Sequence, residues 1–136
     1  MAGYETLRLI LTEKAVLVEG PSDELVFQKL YMQENDRKLP IEDGIDVISV
    51  QSLAFKRFLD IANLLEKEVA VITDNDGDFA KNITSKYSDY LGLQHIFISA
   101  DNRKELNTLE PQFFDANKHD LPKLRRVIGY PSTYVE

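Results

Sequence analysis

The chain has 136 residues, of which 43% are hydrophobic and 29% charged, and its formal net charge is -7. This length and composition are typical of one globular domain and exclude a fibrous or disordered chain. With no cysteine and only two histidines, disulfides and thiolate zinc sites are excluded, so any metal would be held mainly by carboxylates. Hard cations such as Mg²⁺, Mn²⁺ or Ca²⁺ fit such ligands. The negative charge argues against a simple phosphate-neutralising contact with nucleic acid, unless bound cations cancel it locally.

The apolar segments are too short to cross a membrane. No run reaches the roughly 18 apolar residues that a span needs. The start, MAGYETLRLIL, lacks the basic segment and apolar core of a signal peptide. We therefore expect a cytoplasmic protein without a membrane partner.

Four short apolar runs, rich in β-branched residues, predict strands. In chain order they are AVLVE (15–19), IDVISV (45–50), VAVIT (69–73) and HIFIS (95–99). The first reads as a strand buried on both faces.

The segments between these runs carry apolar residues at helical spacing. The predicted helices run from Ser22, as N-cap, to about Gln33; after Ser52, along Phe55, Phe58, Leu59, Ala62 and Leu65; and from Phe79 through Ile83 and Tyr87 to Leu91, ended by Gly92 as C′ residue. Beyond Ala100 the pattern weakens, and LPKLRRVI, with Pro122 at its first position, predicts a further helix.

Alternation of strands and helices predicts an α/β fold. We expect a parallel sheet of about four strands, flanked by helices on both faces and joined by right-handed crossovers. A single domain should span residues 1–136, with its core at about 15–114. The final GYPSTYVE resembles a cut end, so we expect a fragment of a longer protein.

Acidic residues follow two of the predicted strands. Glu19 ends the first strand and Asp74 follows the third. In a sheet ordered second, first, third, fourth, these two ends are neighbours, and ligands bind such sheets beyond the carboxyl ends of their strands. Asp23 lies one helical turn after Glu19, and Asp76 and Asp78 lie on the loop after the third strand. We therefore expect these carboxylates to gather at one edge.

Such a gathering of like charges needs compensation. Two charges about 4 Å apart repel by roughly 4 kcal/mol at an effective dielectric constant near 20, so either some acids are protonated or cations bind. Two Mg²⁺ or Mn²⁺ ions about 3.5 to 4 Å apart can activate a water and stabilise a leaving oxygen in phosphoryl transfer. The acids thus indicate metal-assisted phosphodiester chemistry.

Other interpretations of the same residues stay open. DNDGD is also an ordinary turn sequence, in which Gly77 permits a positive φ. Asp23 could serve only the dipole of its helix. An EF-hand would need Gly at the sixth and Glu at the twelfth position of its loop, where this chain has Phe79 and Ser85.

Together, VLVEGPSDE and VITDNDGD resemble the two signatures of the Toprim domain, the metal-binding fold of topoisomerases, primases and several nucleases. The Glu-Gly and Asp-x-Asp motifs stand in the expected order, with Glu19 and Asp74 55 positions apart. Within Toprim proteins, the chain is most similar to the OLD (overcoming lysogenization defect) family of ATP-dependent endonucleases. That similarity is carried by Asp23, by the form TDNDGD and by NTLEPQFF, and covers about 15–114.

The resemblance implies a Toprim/Rossmann-like fold and a two-metal nuclease that hydrolyses DNA. It implies that Mg²⁺ or Mn²⁺ is held by Glu19, Asp23, Asp74, Asp76, Asp78 and Glu110. Of these, Glu19, Asp74 and Asp76 are the implied catalytic residues. In other Toprim enzymes the equivalent of Glu19 is a general acid or base, whereas in OLD-type nucleases it resembles a metal ligand, which is the role that we expect here. Glu110 has an alternative interpretation as a surface acid before Pro111.

The implied partners are DNA and an N-terminal ABC-type ATPase domain, in a homo-oligomer that serves DNA repair or phage defence. No glycine of this chain precedes a lysine, so a P-loop is excluded and ATP would act only through a domain absent here. The family's catalytic lysine has two candidates by position alone, Lys118 and Lys123. Lys123, Arg125 and Arg126 would contact phosphates or form a solvated helix face.

Three other functions compete with a DNA nuclease. A primase, a topoisomerase or a ribosomal-RNA maturation nuclease would share the Toprim motifs. A receiver-type phosphoacceptor domain would share the sheet and the acid after the third strand. It requires two adjacent acids directly after the first strand, and EGPSDE fits this requirement poorly. A non-catalytic docking domain would show no metal-dependent cleavage.

Overall fold

The computed structural model describes residues 2–50, 54–120 and 122. In chain order its elements are α1 (Ala2–Leu11), β1 (Lys14–Val18), α2 (Pro21–Glu34), a 3₁₀ turn (Pro40–Asp43), β2 (Ile45–Ser49), α3 (Phe55–Leu64), β3 (Glu68–Ile72), a π-helical turn (Ala80–Ser85), β4 (Ile96–Ser99) and α4 (Leu109–Ala116). No helix within these ranges is both long and apolar enough to cross a membrane.

The four strands form one parallel sheet in the order β2-β1-β3-β4. The predicted α/β class with a parallel sheet is therefore confirmed, and the strand order is the one in which the ends of the first and third predicted strands are neighbours. The central strands are in register, since Val18 at the end of β1 pairs with both Ser49 of β2 and Ile72 of β3. The carboxyl ends of β1 and β3 consequently lie side by side.

Helices pack on both faces of the sheet because side chains of a strand alternate between its faces. Leu17 of β1 is fully buried in a core that includes Leu9 of α1 and Phe58 of α3. Val16 and Val18 point the other way and pack with Phe27 of α2. The prediction that the first strand is buried on both faces is confirmed.

Two helices were not predicted. α1 buries Leu9, and its Arg8 binds Asp46 of β2 through two nitrogens, at 2.5 and 2.9 Å. α4 contains Pro111 as its third residue. A proline in the first helical turn is compatible with a helix, because the N–H groups there have no partner within the helix.

Three predicted boundaries were wrong. α2 begins at Pro21 after Gly20, not at a cap on Ser22, and proline is favourable at a first helical position. The third predicted helix is a π-helical turn that ends at Ser85, and its wider turn suits a spacing of four residues. Gly92 does not have the left-handed φ of a C′ residue. The cap predicted at Ser52 and most of the helix predicted from Pro122 lie outside the described residues.

Candidate metal centre

Glu19 and Asp74 follow the adjacent ends of β1 and β3, and the structure brings them into contact. The backbone N–H of Asp74 donates a hydrogen bond to Oε1 of Glu19, at 3.2 Å. The hydroxyl of Thr73 donates to the same oxygen, at 2.5 Å. Two acidic motifs that are far apart in sequence therefore meet at the carboxyl edge of the sheet, as the strand order predicts.

Asp74 lies within electrostatic range of four further carboxylates. Burial and the negative charges around it raise the pKa of Asp74 from its ordinary value of 3.8 to about 7, with burial as the largest cause. We call this group the acidic cluster, and its members are Glu19, Asp23, Asp74, Asp76 and Glu110. They come from four parts of the chain: the end of β1, the start of α2, the loop after β3 and the start of α4.

Asp23 has two roles in this arrangement. Its Oδ2 accepts a hydrogen bond from the backbone N–H of Gly20 at 3.0 Å, which satisfies a free donor at the start of α2. Burial raises the pKa of Asp23, the Gly20 hydrogen bond lowers it, and the charges of Glu19 and Glu110 raise it. The helix-capping interpretation of Asp23 and its place beside the other acids are thus compatible.

The loop after β3 turns sharply between its aspartates. Asp76 and Gly77 both have positive φ, 49° and 80°. Asn75 fixes this turn from inside: its side chain is fully buried and its Oδ1 accepts the N–H of Gly77 at 2.7 Å. Its Nδ2 donates to the carbonyls of Asp101 and Arg103, at 2.7 and 2.9 Å.

Asn75 therefore ties the aspartate loop to the segment that leads into α4. This role is not evident from the sequence, because an Asn between two acids of a turn motif gives no signal that its side chain is buried. The backbone N–H of Asp76 adds a bond to the carbonyl of Asn107, at 3.3 Å. These contacts hold the two segments together.

Glu110 lies in the first turn of α4, and its charge contributes to the raised pKa values of Asp23 and Asp74. Gln112, two residues further, places its Nε2 3.5 Å from Oδ1 of Asp74 and donates to the carbonyl of Leu106 at 3.0 Å. No sequence pattern indicates this contact of Gln112. Its contact shows that the start of α4 faces the end of β3.

Arg103 connects α4 to the segment that follows β4. Its guanidinium binds Asp101 at 2.7 Å and Asp115 at 3.0 Å. The hydrogen bonds from Arg103 lower the pKa of Asp101. Among these three side chains the charges are paired, in contrast to the acidic cluster.

Asp78 has a different environment from the other predicted ligands. Its Oδ1 accepts the backbone N–H of Lys81 at 3.0 Å, which is the contact of an N-cap residue. It is exposed, as Asp76 and Glu110 are, but unlike them it is not among the groups that raise the pKa of Asp74. Its part in metal binding stays a prediction.

Of the predicted cationic residues, Lys118 alone lies within the described part of the chain. Lys118 follows α4, is exposed, and has its Nζ 3.8 Å from Oδ1 of Asp115. Lys123, Arg125 and Arg126 lie outside the described residues. The position of a catalytic lysine stays a prediction.

The acidic cluster supplies the chemistry that a hard cation requires, namely several carboxylate oxygens at one edge of the sheet. Within residues 2–50, 54–120 and 122, no three His, Asp or Glu side chains are close enough together to hold one metal ion as they stand. Mutual repulsion separates carboxylates, and it adds to burial, the larger cause, in raising the pKa of Asp74. The residues therefore fit a Mg²⁺ or Mn²⁺ site by donor type, with side chains that would have to close on the ion.

Comparison with known proteins gives one family match, which covers about half of the chain. Residues 10–76 match the family model described as overcoming lysogenization defect protein-like, TOPRIM domain. No curated protein and no solved structure matches the chain significantly. The matched segment includes Glu19, Asp23, Asp74 and Asp76, and it ends before Asp78 and Glu110. Over residues 10–76 the chain therefore resembles the Toprim domains of OLD-family proteins, and this resemblance supports a domain of a nucleic-acid enzyme.

Proposed function

We propose that the chain is a metal-dependent nuclease domain that hydrolyses DNA phosphodiester bonds by a two-metal mechanism. The observation that supports this most is the acidic cluster, in which Asp74 reaches a pKa of about 7 beside four other carboxylates. A protein that only needed a turn at this position would gain nothing from such repulsion. A pair of divalent cations would relieve it.

Under this proposal each acid has a stated role. Glu19, Asp74 and Asp76 hold the ions at the reacting phosphate. Asp23 and Glu110 complete the oxygen ligands from the starts of α2 and α4, and Asp78 was predicted as a further ligand. When bound, Mg²⁺ or Mn²⁺ supplies Lewis acidity for the attacking water and for the leaving oxygen.

The chain's own residues orient the ligands. The Gly20 N–H holds Asp23 from one side, at 3.0 Å. Asn75 fixes the turn that carries Asp76 and ties it to the segment before α4. The negative net charge of -7 fits a domain whose DNA contact depends on the ions and on a partner surface.

The proposal also covers the longer protein. An N-terminal ABC-type ATPase domain would supply ATP dependence, homo-oligomerisation and much of the grip on DNA, in a cytoplasmic enzyme of DNA repair or phage defence. Cleavage by the present chain alone is then expected to be weak.

Cleavage of supercoiled plasmid tests the proposal. The chain is incubated with DNA and Mn²⁺, Mg²⁺ or EDTA, beside Glu19→Ala and Asp74→Ala, with Glu34→Ala at the far end of α2 as the matched control. We expect metal-dependent cleavage that falls by about 100-fold or more in the first two variants and is unchanged in the control. Cleavage that survives both substitutions would mean that the site is elsewhere.

A second readout separates the proposal from a signalling function. Incubation with a small phosphodonor such as acetyl phosphate should leave Asp74 unmodified. A phosphorylated Asp74, with no plasmid cleavage, would favour a receiver-type domain instead.

A further inference from the structure

We propose that Thr73 is a positioning residue that orients the carboxylate of Glu19 for metal binding. Thr73 is buried, with 7% of its surface exposed. Its hydroxyl and the N–H of Asp74 both donate to Oε1 of Glu19. Within the described part of the chain, Oε2 of Glu19 has no hydrogen-bond partner, so it is the oxygen left available to a cation. This inference rests on the proposed function.

Packing alone does not account for a threonine at this position. Thr73 continues β3, and by the alternation of a strand it lies on the same face as Val71, a fully buried core residue. A valine would fill a similar volume there without a hydroxyl to satisfy. A buried hydroxyl is unfavourable unless it is hydrogen-bonded, and the described acceptor of this one is the carboxylate of Glu19.

A second buried hydroxyl lies behind Thr73. Tyr87 is fully buried, and its hydroxyl makes no hydrogen bond with the described residues. It lies beside Thr73 and within electrostatic range of Glu19. The Thr73 hydroxyl donates its one hydrogen bond to Glu19, so its lone pairs can accept a hydrogen bond from the Tyr87 hydroxyl. A small side-chain movement makes that bond, which would hold the Thr73 proton on the side of Glu19.

The three groups thus form a line from the core to the cluster: Tyr87, Thr73 and Glu19. Partners that orient metal ligands in this way change metal affinity by about 10- to 100-fold when they are removed. Because Thr73 and Tyr87 would not touch the ion, their effect on metal affinity depends on their hydroxyl groups and not on the shape of the residues.

The test compares Thr73→Val, which removes the hydroxyl, with Thr73→Ser, which keeps it. Mn²⁺ affinity of the 136-residue chain is measured by calorimetry and by electron paramagnetic resonance, beside plasmid cleavage, with melting in EDTA to verify folding. We expect Thr73→Val to weaken Mn²⁺ binding by about 10-fold and Thr73→Ser to stay within about 3-fold of the wild type. Tyr87→Phe should weaken it by a smaller factor, and Thr84→Val, on an exposed threonine, should not change it.

Each outcome decides the inference. A folded Thr73→Val that binds Mn²⁺ as tightly as the wild type overturns it, and so does a Thr73→Ser that is as impaired as Thr73→Val. If Thr73→Val does not fold, Thr73→Ala takes its place, and failure of both to fold assigns the hydroxyl to stability and overturns the inference as well. A wild-type chain that binds no Mn²⁺ would instead contradict the proposed function itself.

Discussion

Replacing Asp74 by Asn removes the carboxylate on which the repulsion of the acidic cluster falls most heavily. A rise of its pKa from 3.8 to about 7 corresponds to at most about 4 kcal/mol at pH 8, at 1.36 kcal/mol for each pKa unit. The side chain is only half-buried, so solvent screening reduces this to about 1 to 2 kcal/mol. We therefore expect Asp74→Asn to stabilise the metal-free chain by that amount at pH 8, while it impairs metal binding.

The direction of the pH dependence follows from proton linkage. Because the pKa of Asp74 is higher in the folded state, folding takes up a proton between about pH 4 and pH 7. The contribution of this group is therefore most favourable below pH 4 and is lost as the pH rises through 7. Asp101, whose pKa is lowered by Arg103, acts in the opposite direction but at lower pH. The advantage of Asp74→Asn should thus shrink by more than half between pH 8 and pH 5.

Urea denaturation in EDTA at pH 5, 6, 7 and 8 measures this difference. Glu13→Gln is the matched control, because it removes one negative charge at the opposite, amino end of β1. Added Mn²⁺ should stabilise the wild type and leave Asp74→Asn nearly unchanged. A variant no more stable than the wild type at pH 8, or an advantage equal to that of Glu13→Gln, would refute the argument that the cluster is strained.

Gly77→Ala should reduce the free energy of unfolding by about 1 kcal/mol in urea, because Gly77 has φ of 80°; Gly92→Ala, without such a φ, should change it by less than about 0.5 kcal/mol. Asn75→Ala should cost about 2 to 4 kcal/mol, since it leaves buried backbone groups unpaired, and a loss below about 1 kcal/mol would show that the loop is held by other contacts. Asp78→Ala should reduce metal-dependent cleavage less than Asp76→Ala does, because the Asp78 carboxylate accepts the hydrogen bond of an N-cap. Equal losses of cleavage would show that Asp78 contributes as much to the metal site as Asp76.

Sequence periodicity predicted the sheet because its central strands, β1 and β3, are covered on both faces. The runs at 15–19 and 69–73 contain few residues that suit anything except a central parallel strand, and the observed order β2-β1-β3-β4 meets the condition under which their carboxyl ends are neighbours. The meeting of Glu19 with Asp74 followed from that order. These features depend on local pattern and on the handedness of crossovers, both of which a single sequence carries.

The parts that were missed depend on contacts between distant segments. Asn75 is a residue type typical of turns, yet its side chain is fully buried. It donates hydrogen bonds to carbonyl groups 26 and 28 positions away. α1 is held to the sheet by Arg8 and Asp46, 38 positions apart. Thr73 was assigned to a strand, and its hydrogen bond to Glu19 appears only when β1 and β3 are adjacent.

Crystals grown with Mn²⁺ and measured near the manganese absorption edge test the central claim most directly. We predict anomalous density beside the carboxylates of Glu19 and Asp74, with Asp76 as a further ligand and with none of this density in Glu19→Ala crystals. Manganese bound at another surface, with Glu19 and Asp74 still joined only by the hydrogen bond of 3.2 Å, would contradict it.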